Sequence, residues 1–438
     1  MSNPTIENIA TVMNGFAEFF NHMIQMQNFD LKEFVSFMEP KFKAAGYRDA
    51  NKLGKGNILI LTEIGAGDFI VSTGAIREIR RIYSDARITL VVNPRTAALA
   101  EFCPYVDELF LSPQHFSIYN PFDAYRMNAM IAQKLLEERF DVCFAFSIHP
   151  HNPLLMYMSG AKVRITAIGA EDCGEFNENK MTNYFAQLST HFFQENIYGY
   201  HRADRFFSLI ENIMHLPITN RKLEVWYTPA DVSTARSILK VDNDSIYAFS
   251  MGGTFPRKHY PPEKYARLIE MILRKEPTAM FVILGGGQYD LTSAEIIKKA
   301  LPKVYERNII DLTNKINYRQ SAAILSLCRM YIGNDTGTVH IAAAVGCPVL
   351  MTNCFPADFP TNRNDTPRRW YPYGVPSVIV QPAHALPECK ELKSYDPYGC
   401  AAPFPHCITQ IKPETLLKGF HLLKERAATK INEPLYIH

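Results

Sequence analysis

The sequence predicts an α/β protein: two doubly wound domains behind an N-terminal helical extension. Three observations lead there. The chain has 438 residues, too many for one ordinary core and enough for two. Apolar runs of strand length alternate with amphipathic stretches of helical period from Asn57 and again from Ser245, the pattern of parallel sheets covered by helices. The first fifty or so residues lack that alternation and repeat apolar side chains at helical spacing instead. The expected segments are 1–52 for the extension, 53–225 and 226–410 for the two domains, and 411–438 for a C-terminal helix and tail.

Taken in order, Ile9, Met13, Phe16, Phe20, Met23 and Ile24 recur at three- and four-residue steps, which gives an amphipathic helix. A second short helix follows Asp30. The pair is expected to pack on the main body or on another subunit. Contact with a membrane surface is the other reading, but such a helix wants flanking cations, and none precedes Lys32. Next come a strand at Asn57 to Thr62, a glycine-containing turn, a helix to about Tyr83 and a strand at Arg87 to Val92, a βαβ unit. Further strands are expected at Glu108 to Leu111, Asp141 to Phe146 and Lys162 to Ala167, with helices at Arg126 to Glu138 and His201 to Met214. An irregular stretch runs to about Asp244. Beyond it, strands at Ser245 to Ser250, Ala279 to Leu284, Met330 to Gly333 and Pro348 to Thr352 alternate with helices at Pro262 to Arg274, Ala294 to Ala300, Tyr318 to Cys328 and Thr338 to Val345.

Bulk chemistry narrows the function. The 46 basic and 44 acidic side chains nearly cancel, which argues against a dedicated nucleic-acid binder or a polybasic membrane anchor. No apolar run is long enough to cross a bilayer, and Met1 to Ile9 lacks the charged start and apolar stretch of a signal peptide. The expectation is a cytoplasmic protein, with peripheral contact at the inner face of a membrane left open. The nine scattered cysteines fit a reducing compartment. Cys143, Cys328 and Cys347 lie in apolar stretches and read as core. Cys354, Cys389, Cys400 and Cys407 fall in the last quarter and are the only candidate metal ligands, but their spacings match no standard zinc signature.

Four segments carry chemistry. The first is Gly333-Asn334-Asp335-Thr336-Gly337-Thr338-Val339-His340, a strand end running into a helix that Gly346 and Pro348 then stop. A helix N-terminus offers unpaired amides and partial positive charge, so Thr336, Gly337 and Thr338 suit a diphosphate, with Asp335 and His340 beside them. Equally, Asp335 or Thr336 caps the helix and does nothing else. The second is Ser250 to Pro261, where Gly252, Thr254, Arg257 and Lys258 follow a parallel strand at the edge where open α/β sheets bind ligands. Lys258 or Arg257 can neutralise a departing nucleotide diphosphate, unless the turn is merely a solvated basic one. The third is Glu63-Ile64-Gly65-Ala66-Gly67-Asp68-Phe69-Ile70. It falls short of a dinucleotide fingerprint, because Ile70 stands at the third glycine and the next strand ends at Val92-Asn93-Pro94 without an acid. Asp68 is suited to take a proton from an attacking hydroxyl, or to cap its helix. The fourth is Gly285-Gly286-Gly287-Gln288-Tyr289-Asp290, where a glycine turn allows close approach of a base or ribose, and Gln288 and Asp290 offer hydrogen bonds; a plain tight turn is the alternative.

Together these segments resemble the heptosyltransferases, glycosyltransferase family 9. The likeness is strongest at Ile332 to Ala344 and continues at Ile64 to Asp68, Val91 to Arg95, Pro104 to Glu108, Lys258 to Pro261 and His406 to Pro413. It implies the GT-B arrangement, two Rossmann-like domains facing across a cleft. It also implies a metal-independent, inverting transfer from ADP-heptose, with no cofactor, Asp68 as general base and Lys258 steadying the leaving diphosphate. Asp335, Thr336 and Gly337 would sit at the donor, and Gly65 and Gly67 on the acceptor side. The acceptor it implies would be a surface glycan or glycolipid of lipopolysaccharide type, and the N-terminal helices offer a route to a homo-oligomer. Gly65-Ala66-Gly67 departs from the usual serine-containing turn, and the extension has no counterpart in the common lipopolysaccharide enzymes. A protein-modifying member of the family, a GT-B epimerase and a nucleotide-sugar-binding scaffold are the alternatives.

Overall fold

The structure, a computed structural model, describes residues 6–26, 29–47, 56–62, 65–112, 121–146, 151–169, 187–195, 201–240, 245–253, 255–358, 367–387 and 404–438. The chain divides into two compact units. One comprises 1–64, 74–197 and 203–221; the other comprises 65–73, 198–202 and 222–438.

The first unit carries β1 (Asn57–Leu61), β2 (Arg87–Val92), β3 (Glu108–Leu111), β4 (Val142–Ala145), β5 (Val163–Gly169) and β6 (His191–Glu195). They form one parallel sheet in the order β3-β2-β1-β4-β5-β6. β1, β2 and β4 are buried along almost their whole length, as a parallel sheet covered on both faces requires. α3 (Ala66–Ile82) follows β1, α4 (Pro121–Glu138) precedes β4, and α5 (His151–Met158) and α6 (Arg202–Met214) follow later. β6 is absent from the sequence reading; it is an edge strand with Phe192 exposed, so its sequence lacks the apolar run of a central strand.

Helices α1 (Ile6–Met26) and α2 (Leu31–Ala44) form the predicted extension. Asp30 caps α2 by accepting hydrogen bonds from the Lys32 and Glu33 amides. Ile9, Phe16, Phe20 and Met23 face inward and join Phe34, Met38 and Phe42 in one core with Ala132, Leu136, Leu154 and Tyr157. The apolar face of the extension is therefore spent on this chain's own α4 and α5. Among the described residues no helix is long and apolar enough to cross a membrane.

The second unit holds β7 (Ile246–Ser250), β8 (Met280–Leu284), β9 (Ile309–Asp311), β10 (Met330–Asn334), β11 (Val349–Thr352), β12 (Ser377–Val380) and β13 (Pro434–Ile437). All run parallel, in the order β13-β12-β11-β10-β7-β8-β9. Its helices are α7 (Pro229–Leu239), α8 (Pro262–Leu273), α9 (Gln288–Ala300), α10 (Tyr318–Leu325), α11 (Gly337–Ala344) and α12 (Pro413–Thr429). Several details differ from the sequence reading, which foresaw neither β9 nor β12. The stretch expected to be irregular contains α7, opened by a Thr228–Asp231 capping box. α9 begins at Gln288 rather than Ala294. The C-terminal tail supplies a strand the sequence reading did not give, β13, paired with β12.

β8 and β9 lie to one side of β7, and β10 through β13 to the other. The order thus reverses between β7 and β10, and the loops leaving those two strands occupy the position where open α/β sheets take ligands.

Candidate functional site

The site begins with a buried clamp between β7 and β10. The Asn334 side chain, fully buried, accepts hydrogen bonds from Tyr265 Oη (2.8 Å) and Thr352 Oγ1 (2.9 Å) and donates to the Met251 carbonyl. A buried amide so fully engaged is a rigid fixture. It aligns the two strand ends before either loop departs.

From this fixture β10 runs into α11. Thr336 occupies the cap position, yet no side chain caps the helix. Asp335 instead turns to Lys258, with Asp335 Oδ2 to Nζ at 3.0 Å, and to the Asn353 amide at 3.4 Å. Helix capping thus does not account for Asp335 or Thr336. Lys258 and Asp335 are both largely shielded, at 13% and 5% side-chain exposure, so their charges act through protein rather than bulk water. Thr338 and His340 are buried on α11. Burial pushes the His340 imidazole down to about 4; the nearby Lys258 adds to this and Asp335 opposes it. His340 is therefore neutral at neutral pH.

Lys258 ends a short 3₁₀ turn, Pro256–Lys258. Arg257 beside it is buried, its guanidinium 4.2 Å from the centre of the Phe255 ring, so this is not a solvated basic turn. His259 lies flat on Tyr289 at 3.7 Å and bonds the Gly253 carbonyl through Nε2 at 2.9 Å. A carbonyl only accepts, so Nε2 carries the proton. Thr254 lies outside the described residues.

The glycines of this region have a cause that the sequence did not reveal. Asp290, buried at the start of α9, accepts hydrogen bonds from the Gly252 amide (2.6 Å) and the Gly286 amide (3.0 Å). A β-carbon at Gly252 or Gly285 would collide with that carboxylate. Asp290 is thus the internal tie between the β7 and β8 loops, and close approach of a ligand is not needed to explain Gly252 and Gly285. Burial raises its carboxyl pKa, and the amides of Gly252, Gly286 and Met251 pull it partly back. Gln288 is exposed at the first position of α9.

Residues 65–73, the opening of α3, group with the second unit. Gly67 and Gly337 are close-approach glycines. A β-carbon on Gly67 would stand 2.7 Å from the His340 ring, and one on Gly337 would stand 3.1 Å from the Gly67 amide nitrogen. Asp68 is partly exposed, with its carboxylate folded back over Gly65, where a β-carbon would strike it. That brings Asp68, His340 and the α11 start into one neighbourhood.

One cluster was missed by sequence reasoning. Arg369, Trp370, Tyr371 and Tyr373 follow β11, and Trp370 meets the His340 ring edge-on at 5.7 Å. His201 packs against Tyr371 and Tyr373 at 4.5 and 4.7 Å and bonds the Tyr371 carbonyl at 3.0 Å. The signal was present in the aromatic run Trp370-Tyr371-Pro372-Tyr373. Of the candidate metal ligands, Cys354 and Cys407 are buried, while Cys389 and Cys400 lie outside the described residues. Among the described residues no group of three or more His, Cys, Asp or Glu is arranged to hold a metal ion.

Residues 130–398 match glycosyltransferase family 9 (heptosyltransferase). Lipooligosaccharide heptosyltransferase 2 of Haemophilus ducreyi is 28% identical over 148 residues, which is 34% of this chain and 40% of that protein. Its counterpart in Haemophilus influenzae is 33% identical over 106 residues, 24% of this chain and 30% of the relative. The chain thus matches less than half the length of these two curated relatives. The crystal structure of the glycosyl transferase family 9 from Veillonella parvula superposes with a TM-score of 0.65 at 17% identity, covering 85% of this chain and 97% of that one. The E. coli ADP-heptose lps heptosyltransferase II gives 0.63 at 16% identity, covering 85% and 100%. Those identities speak for the fold, and the fold is that of the two-unit GT-B transferases.

Proposed function

The chain belongs to glycosyltransferase family 9 (heptosyltransferase), and on that premise we propose that it transfers a heptose from ADP-heptose to a surface-glycan acceptor of lipopolysaccharide type, with inversion. An acceptor hydroxyl attacks the anomeric carbon and the bond from that carbon to the diphosphate oxygen breaks. ADP leaves, and the hydroxyl proton passes to Asp68. Lys258, with the first amides of α11, takes up the charge that grows on the leaving diphosphate, work done elsewhere by a divalent cation. The observation that carries the reading is the Lys258–Asp335 pair beside an α11 start with no side-chain cap. A shielded cation and free helix amides at a switch point suit a diphosphate, and the ADP-heptose enzyme among the structural relatives supports the choice of donor.

Two variants test it. Asp68→Asn should lower transfer by a hundredfold or more, the usual scale for a lost general base of about 10²–10⁴, while ADP affinity stays within about twofold. Lys258→Ala should weaken ADP binding roughly tenfold or more and adenosine binding little, because only ADP brings the diphosphate charge. Full turnover by the first variant, or equal losses of ADP and adenosine in the second, would remove the residue from its role.

A further inference from the structure

The opening of α11 combines two features that rarely go together. Thr336 has the extended backbone of a capping residue, φ −142° and ψ 172°, and threonine is among the side chains that cap helices well. No side chain caps this helix, however. We infer that Tyr331, buried in β10, is a positioning residue that draws the Thr336 hydroxyl inward and so keeps the first amides of α11 open to an anion. This rests on the transferase reading above, in which those amides meet the diphosphate.

Room for the phenol comes from Gly333. Side chains two apart on a strand share a face, and a β-carbon at Gly333 would stand 2.5 Å from Tyr331 Oη. The ring therefore lies along β10 toward its carboxyl end, where the turn begins. The methyl of Thr336 faces Gly253, whose β-carbon would meet it at 3.4 Å. With the methyl committed there, the hydroxyl points another way. Thr336 Oγ1 and Tyr331 Oη are both sealed from solvent, and among the described residues neither completes a hydrogen bond. The two side chains are nonetheless neighbours. Burial keeps the Tyr331 phenol protonated, far above its ordinary range; the Thr336 and Ser250 side chains pull against that as nearby donors do, and Asp290 and Asp335 reinforce it. A protonated phenol is a donor, and a threonine oxygen can accept from it. Phenylalanine would fill the same volume without burying another unmatched oxygen, so the Tyr331 hydroxyl does nothing for packing. What it does is occupy the Thr336 oxygen that would otherwise reach the α11 amides.

Calorimetric titration with ADP and with adenosine, on wild type, Tyr331→Phe, Thr336→Val and the double variant, tests this. Without the phenol, Thr336 should swing onto the amides and compete with the diphosphate. Tyr331→Phe should then bind ADP roughly fivefold more weakly, the ratio equivalent to a cap of about 1 kcal/mol. Its adenosine affinity should be unchanged and its melting temperature at or above that of wild type. In the Thr336→Val background, where no hydroxyl remains to swing, Tyr331→Phe should leave ADP affinity where Thr336→Val alone puts it. Four outcomes would each overturn the proposal: unaltered ADP affinity in Tyr331→Phe, equal losses for ADP and adenosine, an ADP loss that persists in the Thr336→Val background, or a lower melting temperature, loss of folding included. Wild-type protein that binds ADP no more tightly than adenosine would instead remove the diphosphate reading itself, and this inference with it.

Discussion

His340 shows how much one residue can carry. Folding holds its imidazole neutral by moving its pKa from the ordinary 6.5 down to about 4. Between those two values the unfolded chain binds the extra proton and the folded chain does not. Stability from this group is therefore complete above pH 6.5, falls as the pH drops toward 4, and levels off below. The shift corresponds to roughly 3 kcal/mol as an upper scale. His201, shifted downward in the same direction by burial, adds to this loss as the pH falls below the ordinary histidine range. Melting temperatures from pH 7.5 to 4.5 should fall less steeply in His340→Gln than in wild type; parallel curves would show that His340 does not titrate in this way. At this scale the sequence was only half informative. It named Asp335, Lys258 and His340, because a strand end, a turn and a helix start are visible in residue types. It did not distinguish an Asp335 that caps from one that pairs with Lys258, since that depends on a side-chain direction set across seventy-odd residues of chain. Nor did it show that Asp290 is consumed internally by the Gly252 and Gly286 amides.

Elements were legible in proportion to their apolar content. β1, β2, β7, β8 and β10 are buried strands with long apolar runs, and the sequence places them within a residue or two. The edge strands β6, β9 and β13 were not foreseen, because short, half-solvated strands lack that signal. β12 was hidden by prolines at 376 and 382 that make its flanks read as loop. α7 had a local signature, Thr228-Pro229-Ala230-Asp231, which is a capping box with proline at the first position. The proline and asparagine content around it obscured that signal. Asp231 also holds Arg319 at 3.2 Å, tying α7 to α10. Burial works against its charge, but the Thr228 donors and Arg319 together keep its carboxyl below the usual range. Thr228→Ala should cost about 1 kcal/mol by removing the cap alone, and Asp231→Ala should cost more because the ion pair with Arg319 is lost as well. Denaturant midpoints in the reverse order would refute this division.

For the whole molecule, the family was visible only in the order of several motifs, none sufficient alone, and 130–398 is the part that the family match covers. The extension lies outside it. α1 and α2 nevertheless share a core with α4 and α5, with Phe34 packed among Phe16, Phe19, Phe20, Phe29 and Tyr157. Phe34→Ala should destabilise the first unit by about 3–5 kcal/mol. Heating should then separate an early transition that ADP does not shift from a later one that it does; a single cooperative transition, displaced as a whole, would mean that the two units unfold together. The Asp290 carboxylate limits how this sequence can drift. Gly252 has no room for a methyl group while Asp290 stands behind it, so an alanine there is tolerable only after the acid has been exchanged for something smaller. The two positions are epistatic: across related proteins they should change as a pair. Asp290→Ala should thus cushion Gly252→Ala in a double-mutant cycle, a historical constraint written into the loop whether or not any nucleotide ever touches those glycines.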